Sequence, residues 1–106
     1  MLHPKYLTLQ NAVSATGNGT VFDVSGLTNL SVQLLGTFTA TVNFEGSNDG
    51  GTTWAAVPFF NSGGANASSA TAVGIFTTYN LGYLLFRARV TWTSGTSVTV
   101  IAAGNG

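Results

Sequence analysis

The chain has 106 residues, enough for one domain and few for two. Its formal net charge is zero and 6% of its residues are charged, against about 25% in an average soluble domain. Without cysteine there is no disulfide framework, thiolate metal site or thiol nucleophile. Three basic residues offset by three acids cannot supply the phosphate contacts of nucleic-acid binding.

In chain order, residues 1–6, with Pro4, read as an extended N-terminal arm, and residues 6–10 as a first short strand. Residues 20–24 follow a turn-rich stretch and put Phe22 and Val24 on one face. Residues 30–36 alternate through Val32 and Leu34. Residues 39–47 alternate most clearly, with Ala40, Val42 and Phe44 opposite Thr41, Asn43 and Glu45, the period of a sheet with one buried face. The run Asn48-Asp49-Gly50 after Ser47 is a strong hairpin signal, because these residues tolerate the positive φ of tight loops. Residues 53–60 return as the partner strand, with Pro58 marking an edge or an end. Residues 61–68 have the composition of a flexible surface loop, and residues 70–79 form a strand. Residues 82–93 set Leu84, Phe86, Ala88, Val90 and Trp92 on the inner face. A Ser94-Gly95-Thr96 turn leads into residues 97–103, where Val98, Val100 and Ala102 point inward.

No stretch has a helical period with caps. About eight short antiparallel strands at this spacing indicate an all-β domain spanning residues 1–106, a jelly-roll-like β-sandwich. Disorder does not account for the low charge, since 44% of the residues are hydrophobic. No apolar run approaches the roughly 20 residues of a membrane span. The N-terminus lacks a basic segment followed by an apolar one, so synthesis in a cytoplasm without export by a signal peptide is expected.

Residues able to do acid–base chemistry are scarce, so no catalytic residue, cofactor or metal is expected. His3, the single histidine, lies on the arm, where rigid ligation is hard to build. Asp49 sits in the hairpin, where its carboxylate can accept backbone N–H groups; Asn48, Asp49 and Gly50 are the turn-fixing residues. Arg87 and Arg89, two apart on one strand, share the outer face, as does Glu45 on its own strand. If those strands are neighbours, Glu45 can pair with Arg87 or Arg89 and set the register. Tyr83 and Leu85 are expected on the outer face as well. With His3, Lys5, Arg87 and Arg89 they form the candidate interface, because a nearly uncharged exterior suits a surface covered by partners. Trp54 and Tyr83 are the candidate platform for stacking a sugar ring.

Two segments carry a family resemblance. Residues 36–58, GTFTATVNFEGSNDGGTTWAAVP, resemble a hairpin of small β-sandwich proteins of tailed phages. Residues 82–100, GYLLFRARVTWTSGTSVTV, resemble their closing hairpin, an aromatic-Arg-x-Arg-Val strand before a Thr/Ser-Gly turn. The resemblance implies a virion structural protein. Its leading form is a capsid cement or decoration protein, homotrimeric and bound to the major capsid protein. A carbohydrate-binding or tail- and fibre-associated module for host attachment is the alternative. It supplies no catalytic residues.

Overall fold

Among the residues described by this computed structural model (5–61, 63–79 and 81–106), β-branched and aromatic residues punctuated by Gly, Asn and Ser build nine strands and no helix. They are β1 (Lys5–Val13), β2 (Phe22–Asp23), β3 (Asn29–Ser47), β4 (Ala55–Ala56), β5 (Phe59–Phe60), β6 (Asn66–Ala67), β7 (Ser69–Ala70), β8 (Gly74–Tyr79) and β9 (Leu85–Asn105). All pairings are antiparallel. The sheet runs β1-β9-β3-β8-β5-β6, with β2 added on β9 and both β4 and β7 on β3.

Two long strands organise the molecule. β3 and β9 pair from Asn29↔Asn105 to Ser47↔Leu85. The expected separate strands at 30–36 and 39–47 are therefore halves of β3, and those at 82–93 and 97–103 fall within or beside β9. Ser94-Gly95-Thr96 is not the turn of a closing hairpin: Ser94 and Gly95 pair with Thr39 and Phe38. Gly36 and Gly95, at φ +117° and +118°, bend the two strands together without breaking the pairing. A Cβ on Gly95 would lie 2.6 Å from Phe38 Cα, and one on Gly36 would collide with the Ser97 carbonyl oxygen.

Register explains how both halves keep one buried face. The pairing slips between Thr37 and Phe38 and again between Thr39 and Ala40, each time leaving one extra residue on β9. One such bulge would turn the rest of β9 inside out, whereas two restore its phase. Leu30, Val32, Leu34, Ala40, Val42 and Phe44 of β3 are consequently all buried. So are Phe86, Ala88, Val90, Val98, Val100 and Ala102 of β9.

These inward residues join Leu9, Phe22, Val24 and Phe59 in one hydrophobic cluster. Phe44 is its hub, with ring centroids 4.7 Å from Phe59, 5.7 Å from Phe76 and 6.4 Å from Phe86. Phe76 lies on β8, beside the first half of β3, while Phe44 belongs to the second half. The bent sheet thus closes over its own core, an architecture compatible with a sandwich. Each fully buried Phe contributes about 1.5–3 kcal/mol from area alone.

Smaller differences follow from local chemistry. Pro58 divides the expected strand 53–60 into β4, on β3, and β5, on β6 and β8. The expected flexible loop 61–68 contains a tight β5–β6 hairpin, in which Asn61 Oδ1 accepts the N–H groups of Gly63 and Ala65 at 2.9 and 3.0 Å. Lys5 and Tyr6, expected in the arm, begin β1, opposite Gly104 and Ala103. His3 lies outside the described residues.

Candidate functional site

The densest polar constellation is on the outer face of the second half of the sheet. Pairing of β3 with β9 sets Glu45 opposite Arg87, and Asn43 opposite Arg89. Glu45 Oε1 accepts Arg87 Nε at 2.8 Å, and Arg89 Nε donates to Glu45 Oε1 and Oε2 at 3.2 and 3.1 Å, with Arg89 Nη2 3.0 Å from Oε2 in the ion pair. Glu45 is 13% exposed, Arg87 16% and Arg89 36%. Burial pushes the Glu45 carboxyl up, but hydrogen bonds from Arg89 and Arg87 outweigh it and hold the group below the usual carboxylate range. The Asn43 amide donates to the Arg89 carbonyl at 3.0 Å and tightens the same pair of strands.

Trp54 completes the cluster. The Arg87 guanidinium lies 4.4 Å from the Trp54 ring centroid, a cation–π contact, and the indole N–H donates to the Gly51 carbonyl at 3.0 Å. Sequence reasoning missed this stack. The signal was the hairpin itself, which returns β4 along β3 so that Ala56 pairs with Glu45, and Glu45 with Arg87.

The loop from Ser47 to Thr53 is tied by side chains. Asp49 Oδ1 accepts the Ser47 hydroxyl at 2.8 Å and the N–H groups of Thr52 and Thr53 at 3.1 and 2.9 Å. Led by the Thr53 N–H and the Ser47 hydroxyl, these bonds hold the Asp49 carboxyl down at about 2. Gly50 takes φ +76°. Asn48 clamps the loop to the entry of β9, donating to the Gly82 carbonyl at 3.0 Å and accepting the Leu84 N–H at 2.9 Å.

That clamp changes the expected outer face. The outward Tyr83–Leu85 pair is not found. Tyr83 precedes β9, so strand alternation does not govern it; its ring packs on the core against Phe86 and the backbone of Gly46. Its hydroxyl is buried without a hydrogen-bond partner among the described residues, and burial pushes the phenol up to about 12. Leu85 is half-buried, while Leu84, expected inside, is 53% exposed because its N–H and C=O are spent on Ser47, Asn48 and Val24. As a sugar platform, Trp54 has one face occupied by Arg87, and Tyr83 is half-buried against Phe86 and Gly46. Both still line a shallow depression of about 420 Å³ with Asn48, Asp49 and Val57.

Lys5 stands apart from this cluster. Its ammonium donates to the Asp23 carbonyl at 3.1 Å and lies 5.7 Å from the Phe22 ring centroid. Asp23 in turn accepts the Ser25 hydroxyl at 2.6 Å and the Ser25 N–H at 3.0 Å, which lowers its pKa. Gln10, buried within the sheet, also escaped sequence reasoning: its amide donates to the carbonyls of Ala88 and Gly17 at 2.8 and 3.1 Å. Among the described residues, no group of three His, Asp or Glu side chains converges to hold a metal ion.

No protein-family model matches the chain, and no curated protein matches its sequence. Solved structures do match its fold. The SPBc2 prophage-derived protein YomS superposes with a TM-score of 0.90 at 18% identity, over 100% of this chain and 96% of YomS. The PBSX exported protein XepA superposes with a TM-score of 0.92 at 15% identity, over 99% of this chain and 38% of XepA. At such identities the likeness is one of fold, and the chain has a fold that prophage-derived proteins also adopt.

Proposed function

We propose that this chain is a phage structural protein that works by packing against neighbouring subunits, with capsid cement as its form, and that it is not an enzyme. One observation carries the reading: the charged side chains are consumed internally. Glu45 neutralises one arginine and binds both, Asp49 fixes a loop, Asp23 caps a turn, and Lys5 reaches back to a carbonyl. Lys5, Asp23 and Asp49 stay exposed while they bind these groups, but the charges sum to zero and large apolar side chains such as Ile75 and Leu84 are exposed beside them, a surface with little electrostatic protection against association. The fold shared with two prophage-derived proteins supports the phage setting.

In this reading the two halves of the bent sheet are the layers of a jelly-roll-like sandwich. Identical rigid copies bridge shell subunits, and their contacts add multivalently. The test is addition of purified protein to undecorated capsids. Saturable binding with raised heat resistance of the particle is the expected result; absence of binding refutes the cement role.

A second reading, glycan attachment, is favoured by Trp54 and Tyr83 lining one depression beside the Asn48–Asp49 loop. It requires Trp54→Ala to abolish binding on a glycan array while the fold survives, and a blank array with the parent protein removes it.

A further inference from the structure

The outer face of the second half of the sheet carries a charge that it does not balance. Two guanidiniums, Arg87 and Arg89, share the single carboxylate of Glu45, so one positive charge is left over. Lys5 donates to the carbonyl of Asp23, itself an acid, and Asp49 is negative, so the positive surplus among the described residues lies here. Locking the register accounts for one arginine, because Glu45 has Arg87 directly opposite. Arg89 lies opposite Asn43, two residues along β9 and about 7 Å from its like-charged neighbour. It adds repulsion to the folded chain and is the more exposed of the two.

The donors are not used up either. Arg87 spends only its Nε–H on Glu45, and Arg89 spends its Nε–H while bringing Nη2 to the same carboxylate. The remaining Nη donors have no described acceptor, and none of them is buried, so they open to the surface. Both side chains are nevertheless held in place. Trp54 lies 4.4 Å from the Arg87 guanidinium, and the Asn43 amide fastens the Arg89 carbonyl. A ligand therefore meets ordered donors, with little side-chain entropy left to lose.

We propose that the Arg87–Arg89 pair is a docking site for one carboxylate, supplied by an Asp or Glu side chain of a neighbouring protein subunit. The proposal deepens the structural reading above and rests on it for the partner being a protein. Charge complementarity selects the ligand. A monoanion cancels the surplus, and a planar carboxylate accepts parallel N–H groups from a guanidinium. Phosphate, nearer a dianion, overshoots and sets its extra charge against Glu45. An anionic membrane draws on several basic residues at once, and a single surplus charge is too few. A sugar acid is disfavoured because the ring of Trp54, which would stack it, is engaged by Arg87.

The experiment follows the Arg87 and Arg89 Nε–H signals of the full chain by heteronuclear NMR. The probes are acetylated, amidated Gly-Glu-Gly and Gly-Gln-Gly, galacturonate and inorganic phosphate, and every variant is checked for folding by circular dichroism. The glutamyl peptide is expected to shift both signals saturably and the glutaminyl peptide to leave them unmoved. Arg89→Gln, which removes the surplus, should weaken the glutamyl peptide about tenfold or more, and Arg89→Lys, which keeps the charge without the fork, by less. Absence of saturation, equal shifts with the glutaminyl peptide, or undiminished binding by Arg89→Gln overturns the proposal. So does tighter binding of galacturonate or phosphate, and so does self-association that Asp49→Asn abolishes, since a second copy is then the occupant. Capsid addition is read separately. Arg89→Gln should bind undecorated capsids about tenfold more weakly than the parent, whose binding should weaken with salt. Equal binding by the two overturns the docking site and keeps the cement role; a parent that takes the glutamyl peptide but no capsid refutes the cement role alone.

Discussion

Replacing Gly95 by alanine tests whether the bend of the two long strands depends on a close backbone approach. An alanine at φ +118° sits in sparsely populated backbone space, at a cost of order 1–3 kcal/mol. Its Cβ would lie 2.6 Å from Phe38 Cα and 2.8 Å from the Thr37 carbonyl oxygen. Ordinary non-bonded carbon contacts are about 3.5–4.0 Å, so β3 must retreat by about 1 Å. That retreat weakens one or two ladder hydrogen bonds at about 1 kcal/mol each. The sum is about 2–5 kcal/mol, or roughly 9–22 °C in melting temperature for a domain of this size. Gly26→Ala is the control: φ is +82° there but a Cβ would meet nothing within 4 Å, leaving only a backbone cost of about 1–2 kcal/mol. Both variants are read by thermal and urea unfolding followed by circular dichroism. If Gly95→Ala costs no more than Gly26→Ala, the close approach of β3 and β9 is not what holds the bend.

Glu45→Gln leaves Arg87 and Arg89 side by side without their counter-ion and is expected to cost about 1–2 kcal/mol, between the values for exposed and buried pairs; an unchanged urea midpoint would count against the triad. Tyr83→Phe removes a buried hydroxyl without a described partner and should be neutral to slightly stabilising, by about 1 kcal/mol at most. In a spectrophotometric titration of the parent, the tyrosinate step at about pH 12 should disappear in this variant. Acid should destabilise the fold late. The Asp49 and Glu45 carboxyls are held lower in the folded than in the unfolded chain, so their contribution is complete above the ordinary carboxylate range. It is lost as pH falls from about 4 through the folded value of about 2 for Asp49. Urea midpoints across that window should decline in the parent and less steeply in Asp49→Asn.

Periodicity carries much of this molecule because strand side chains alternate whatever the topology. The inward series Ala40, Val42, Phe44 and Val98, Val100, Ala102 is readable from sequence, and all six are buried. The scarcity of charge is likewise a property of composition alone. So is the placing of Glu45, Arg87 and Arg89 on outer faces, since it needs only the phase of each strand. Asn48-Asp49-Gly50 reads as a reversal because these side chains make local hydrogen bonds that need no distant partner.

Where local chemistry admits two outcomes, long-range pairing chose between them. Ser94-Gly95-Thr96 is as compatible with a hairpin turn as with a bulged bend, and only the continuous partner strand β3 keeps it extended. Tyr83 and Leu84 exchanged their expected faces because Asn48, from a loop distant in sequence, captured the backbone of Gly82 and Leu84 just before alternation begins. The stacking of Arg87 on Trp54 needed a third strand to arrive alongside β3. Side-chain phase belongs to each segment by itself, whereas the choice of partner strand belongs to the closed sheet, where the loop-closure entropy of non-local pairing is offset by a shared core.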